Sequence, residues 1–301
     1  MHHRRMDKGL YSFLVHFTFR VINTEPTITV GKCHYAGINY IPSWQRENQY
    51  ILSGYWTASN YFRKSFASLA YIHNESVNIY SHLIPAILLL FISLTLHASL
   101  TARYTSVSTA DTIALGCFVL GAVLCLVISA TFHTVQNHSS HVARIANQMD
   151  YIGIVFLIVG SFIPSIFYGF YCHHIYKHYL CVITSLGPLC AAISVIPQFP
   201  HPTWRSFPLL PVIHGIMKFG IRQMNKQIDL FWVVLQGSLY IVGACIYANQ
   251  ITSRQIFHHM VELAIIMHLH GLINAFDYNH GLMPYIADRR YIVWLTFLYC
   301  C

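Results

Sequence analysis

The stretch Tyr151–Tyr171, "YIGIVFLIVGSFIPSIFYGFY", decides how the rest of this chain is read. It carries no charge, and its length matches the roughly 20 apolar residues that an α-helix needs to cross the hydrocarbon of a bilayer. Immediately before it stands Asp150, and before that the polar run "SATFHTVQNHSSHVARIANQM" from Ser129 to Met149. A carboxylate and several histidines therefore crowd the border of a segment built for lipid. Working outward, the same length-and-polarity criterion marks Ile79–Leu96, Thr112–Phe132, Tyr179–Ile196, Trp204–Ile221, Leu230–Ala248 and Ile256–Phe276. The expected fold is an all-α membrane protein, a seven-transmembrane helix bundle.

Composition agrees. Of the 301 residues, 55% are hydrophobic and 9% charged, and mean hydropathy is +0.48; soluble domains carry about 25% charged residues. The net charge of +8 comes from 18 basic against 10 acidic residues. The basic residues form no stripe, so they read as topology signals and exclude a nucleic-acid footprint. Their bias favours a cytoplasmic N-terminus, almost wholly through the N-terminal region. None of the nine cysteines forms a C-x-x-C pair, so neither a disulfide framework nor a zinc finger is expected. The start "MHHRRMDKGLYSFLVHFTFR" lacks a clean apolar core and cleavage site, which argues against a signal peptide and suggests a weak amphipathic surface helix. The expected organisation is an N-terminal region 1–74, a transmembrane domain 75–280 and a tail 281–301. Within it, Trp204–Ile221 is the weakest crossing; its Arg205, two prolines, His214 and Lys218 also suit a re-entrant or surface segment. Pro164 is expected to kink the third helix.

Ionisable residues at helix ends in lipid tend to mark function. Ser129 and His133 are four apart and share one helix face. His133 suits zinc as a neutral imidazole, or is a headgroup-wetted histidine. Asp150 could hold a metal, its water or a basic partner, and equally could cap the third helix. His258 and Glu262 lie one turn apart, whereas His259 faces about 100° away. His268 and His270 read as polar groups of the bundle or its headgroup zone. Glu75, Asn78 and His82 fall on one stripe, which buttresses the site or wets the helix entrance. There is no phosphate-binding glycine loop, no H-E-x-x-H and no G-x-S-x-G.

"LGAVLCLVISATFHTVQNHS" (Leu120–Ser139), "MDYIGIVFLIVGSFIPSIFYGFYC" (Met149–Cys172), "HNESVNIYSHLIPA" (His73–Ala86) and "RQMNKQIDLFWVVLQGSLYIVGACIYA" (Arg222–Ala248) together resemble the progestin and adipoQ receptor family, that is, the adiponectin receptors and haemolysin-III-related proteins, in a form like its fungal members. The resemblance covers about Ile41 to His280. It implies a seven-helix bundle with a cytoplasmic N-terminus. It also implies a zinc ion held by three histidines: one matches His133 and two come from an H-x-x-x-H pair opening the seventh helix. Asp150 would contact the zinc through water, with Ser129 beside it. In the receptors such a site is tied to hydrolysis of the ceramide amide bond, with Asp150 and Ser129 in the catalytic positions; the fungal relatives resemble proteins of lipid, sterol and zinc homeostasis.

One position departs. The family's S-H-Q-I-F-H reads here Ser253-Arg254-Gln255-Ile256-Phe257-His258, so Arg254 replaces a ligand histidine and cannot coordinate zinc. His133 and His258 remain as metal ligands, with Glu262 a conceivable oxygen donor. Arg254 is expected to pair with Asp150 or Glu75 in the ion's place. The fifth helix and the loop before the seventh are shorter than in relatives, and the tail "YIVWLTFLYCC" is unlike theirs, which suggests truncation there. Three functions follow: a receptor or regulator in lipid and zinc homeostasis, a zinc-dependent ceramidase-like amide hydrolase, or a pore, for which no helix shows a repeated polar face. The expected partners are a membrane lipid such as ceramide or a sterol and an extracellular protein ligand. The expected setting is a multi-pass location in plasma membrane or endomembrane.

Overall fold

The computed structural model describes residues 35–46, 51–170, 175–195, 209–248 and 254–287. The suggested surface helix near the N-terminus, the loop 249–253 and the tail Tyr291–Cys301 lie outside those residues.

Among the described residues, nine α-helices follow a short antiparallel pair, β1 (Tyr35–Ala36) and β2 (Tyr55–Trp56), in which Tyr35 faces Trp56. They are α1 (Phe62–Ala67), α2 (Ser76–Arg103), α3 (Thr109–Val135), α4 (Ser140–Gly169), α5 (Ile175–Val195), α6 (Leu209–Phe219), α7 (Ile221–Ile228), α8 (Leu230–Ala248) and α9 (Arg254–Ala287). Five of them, α2, α3, α4, α8 and α9, are long and apolar enough to cross a membrane. Their outward faces carry large apolar side chains such as Phe91, Leu94, Leu120, Phe231, Ile241 and Ile266. In water such surfaces would be a liability; against acyl chains they cost nothing.

The third apolar segment begins earlier than its hydropathy implies. Helix α4 opens at Ser140, capped by the Ser139 hydroxyl, which accepts the Val142 N–H at 3.4 Å. Asp150 is therefore mid-helix and not a cap. The reason is that "SHVARIANQM" is a sound helix former outside the bilayer, while hydropathy registers only the part in lipid. The helix also runs through Pro164 without a break. Of the fifth crossing, Trp204–Ile221, residues 204–208 lie outside the described residues; helix α6 covers the next 11, about 16 Å of rise, and stops at Gly220, whose φ of 80° begins the separate helix α7. Helix α7 carries Arg222, Gln223, Lys226 and Gln227, with Met224 and Ile228 buried.

Helix α3 forms the centre. Phe118, Ala122 and Leu126 are buried on it, against Leu157 of α4 and Ala275 and Phe276 of α9. Helices α3 and α4 approach backbone to backbone at Gly121 and Gly160. A Cβ on Gly121 would stand 2.5 Å from the Phe156 carbonyl oxygen, and one on Gly160 would stand 2.6 Å from that of Cys117. Small residues let membrane helices close in this way, where dispersion and not the hydrophobic effect holds them. This contact aligns the end of α3 with the first turns of α4, and so positions the site.

Candidate functional site

At the end of the bundle that carries the 35–74 segment, α2 starts, α3 finishes, α4 passes and α9 starts. Glu75 occupies the N-cap position of α2. Its Oε2 accepts the Asn78 amide at 2.6 Å and the His133 Nδ1–H at 2.8 Å; its Oε1 accepts the Asn74 amide at 2.5 Å. Burial alone would raise the Glu75 carboxyl. The His133 hydrogen bond and charge, the Asn78 amide and the Arg254 charge outweigh it and hold the pKa at about 2. Nearby, burial lowers the His73 imidazole, against the pull of Glu75 and Asn74.

The paired carboxylate orients a nearly inaccessible imidazole, since His133 is 1% exposed. The His258 ring lies 4.8 Å from that of His133, nearly edge to face, and stacks at 4.1 Å on the ring of His82. Ser129, one turn earlier on α3, is buried, with its hydroxyl acting on the Asp150 carboxyl of α4. Arg254 opens α9; its guanidinium lies over the Phe132 and Tyr247 rings, 5.9 and 5.7 Å from their centres. Its charge acts on Glu75, Asp150 and His258. A small cavity lined by Trp44, Gln45, Trp56, His73, Glu75 and His133 opens to this cluster from the β1–β2 side.

The structure thus brings Ser129, His133, Asp150, Arg254 and His258 to one place. It does not bring Glu262 there. Glu262 Oε2 accepts from His259 Nδ1 at 2.8 Å, on the side where the His259 side chain is 57% exposed. His268 is buried mid-bundle, its Nε2 3.1 Å from the Ser161 carbonyl oxygen, while His270 packs edge-on to Trp232. Two partners exceed the sequence reading. Glu75 holds His133 directly, which the shared stripe with Asn78 hinted at; the stacking of His82 on His258 joins helices far apart in sequence and had no local signal.

The residues present do not fit the three-histidine zinc that the resemblance implies. Arg254 occupies the third ligand position with a fixed positive charge, which leaves only His133 and His258 of the three. Among the described residues no three His, Cys, Asp or Glu side chains are grouped to hold an ion.

The haemolysin-III-related family pattern matches residues 70–269, which include every residue of this cluster. The chain is 35% identical over 265 residues to the "ADIPOR-like receptor IZH2" of Saccharomyces cerevisiae, covering 80% of this chain and 83% of that protein. It is 35% identical over 266 residues to the "Adiponectin receptor protein" of Drosophila melanogaster, covering 80% of this chain and 58% of that protein. It is 29% identical over 271 residues to "Heptahelical transmembrane protein 1" of Arabidopsis thaliana, covering 79% and 80%. Lipid-facing helices, the inward polar cluster and these matches lead to one conclusion: the chain belongs to the haemolysin-III-related family of multi-pass membrane proteins and is adiponectin-receptor-like.

Proposed function

We propose that this chain is a receptor or regulatory membrane protein of lipid homeostasis and does not turn over an amide substrate. The observation that supports this reading is Arg254. A guanidinium beside Glu75, Asp150 and His258 supplies as a permanent side chain the positive charge that an ion would supply in relatives. Both carboxylates are then compensated without metal, and the helix ends remain joined. The ligands proposed are a membrane lipid such as ceramide or a sterol, reaching the bundle from the bilayer, and an extracellular protein.

A zinc-dependent ceramidase-like hydrolase is the second reading. One observation favours it: the buried Nδ1 of His258 has no hydrogen-bond partner among the described residues. Metal analysis of the purified protein separates the two. Protein purified without chelator is expected to hold far less than one zinc per chain, and Arg254→His to bring it near one. Stoichiometric zinc in the unaltered protein, lost on His133→Ala, together with chelator-sensitive release of fatty acid from ceramide, would overturn the receptor reading.

A further inference from the structure

At the opposite end of the bundle lies a second polar cluster. The Ser106 hydroxyl, exposed in the connection between α2 and α3, is 2.8 Å from His280 Nδ1. His280 Nε2 is 3.0 Å from Asp111 Oδ1, and both His280 and Asp111 are fully buried. Asp111 also receives the Tyr168 hydroxyl at 3.3 Å on Oδ1, and the Ser108 N–H and hydroxyl at 2.9 and 2.6 Å on Oδ2. Four donors therefore converge on this carboxylate, an arrangement that suits an ionised acceptor. That fixes the imidazole tautomer. Nε2 carries the proton and donates to Asp111, and Nδ1 is left with its lone pair toward Ser106. The ring is further pinned between Phe276, 4.3 Å between centres, and Tyr104 at 5.8 Å.

Nucleophile, base and an orienting carboxylate in hydrogen-bond sequence form the arrangement by which an activated serine is recognised, whatever its order along the chain. A capping role alone would account for Ser108 and Asp111, whose side chains form a capping box at the start of α3. It does not account for a buried histidine from the far end of α9 presenting its free nitrogen to an exposed hydroxyl. We propose that Ser106, His280 and Asp111 form a serine esterase-type site whose substrate is a carboxylic ester of a lipid at the membrane surface. The lipid class follows from position: Ser106 stands between two membrane-crossing helices, where the ester linkages of the bilayer lie. Ser106 Oγ attacks the ester carbonyl as His280 Nδ1 takes its proton. The C–O bond to the alcohol breaks, and the departing oxygen takes that proton. Water, deprotonated by the same nitrogen, then releases the acid and restores Ser106. Ser106 and His280 are the catalytic residues, and Asp111 is a positioning residue. The first turn of α3 supplies helix N-terminal N–H groups within a few residues of Ser106, the polarity that a developing oxyanion needs.

The test is covalent labelling of the full chain in lipid nanodiscs with a fluorophosphonate. Its phosphorus accepts Ser106 Oγ as fluoride leaves with the serine proton. Mass spectrometry is expected to find one adduct, on the peptide carrying Ser106. Ser106→Ala should abolish it in protein that is still folded, as judged by its melting transition. His280→Ala should abolish it, and Asp111→Asn should slow labelling by 100-fold or more when rates are compared per folded molecule. Hydrolysis of a short-chain p-nitrophenyl ester should follow the same order. No adduct on Ser106 in folded protein, or an adduct there that survives His280→Ala, overturns the proposal.

Discussion

Glu75 shows how much one carboxylate can hold. It accepts from Asn74, Asn78 and His133, and lies in the field of Arg254, so ionisation is favoured despite burial. Its folded pKa is about 2 against an ordinary 4.5. A group depressed on folding contributes stability that is fully present above the ordinary value and is lost as pH falls through the folded one. The protein is therefore expected to lose roughly 3 kcal/mol between pH 4.5 and pH 2 from this residue. Thermal unfolding in detergent across that window should show the loss, and Glu75→Gln should flatten it. At neutral pH, Glu75→Ala leaves the His133 Nδ1–H and the Asn78 amide without their acceptor. It should cost about 1–3 kcal/mol, read as a fall in melting temperature. A Glu75→Ala protein as stable as the original at pH 7 would show that water replaces the carboxylate freely. At this scale the sequence was legible in part. Ser129, His133, Asp150 and His258 stood out as ionisable or hydroxyl groups at the ends of apolar runs. The stacking of His82 on His258 did not, because no spacing along one helix encodes a contact between α2 and α9.

Helices obey their own constraints. The approach of α3 to α4 depends on Gly121 and Gly160, where added side chains would meet backbone oxygen and not a yielding side-chain tip. Gly160→Ala must push the helices apart or tilt them, at about 1–3 kcal/mol. The expected result is a lower melting temperature and a looser, broader peak in size-exclusion chromatography. Unchanged behaviour would mean that the two helices slide at little cost. The break between α6 and α7 has a different cause. Gly220 adopts φ of 80°, so Gly220→Ala carries backbone strain even though open space surrounds it; a loss of about 1 kcal/mol is expected in the same melting assay. Element boundaries were less legible than element existence. Hydropathy senses the part of a helix in lipid, so it placed the start of α4 eleven residues late, at Tyr151 instead of Ser140. It also carried the fifth segment to Ile221, two residues past the end of α6 at Phe219, because apolar content does not register the φ of 80° at Gly220.

For the whole molecule, the polar clusters separate to the two ends of the bundle, with apolar packing of Phe118, Leu126, Leu157 and Phe276 between them. Alternating helix direction produces this separation: odd and even loops fall at opposite ends, whatever lies in them. Seven crossings would place the chain termini on opposite sides of the membrane. Protease protection of terminal tags in sealed vesicles should find the N-terminal tag on the cytoplasmic side and the C-terminal tag on the other. Both tags on one side would remove a crossing, and the short α6 is the first place to look.

By itself the sequence determined that this is an all-helical membrane protein, because the absence of charge over bilayer length leaves the backbone no partner but itself. It also determined the family and the substitution at Arg254, since those are properties of residue identity. Only the tertiary structure decided which polar groups meet: Glu75 with His133, His82 with His258, Ser106 with His280 and Asp111. These contacts join residues 58 to 176 positions apart, and their geometry depends on how α2, α3 and α9 pack together, a quantity that no local pattern carries.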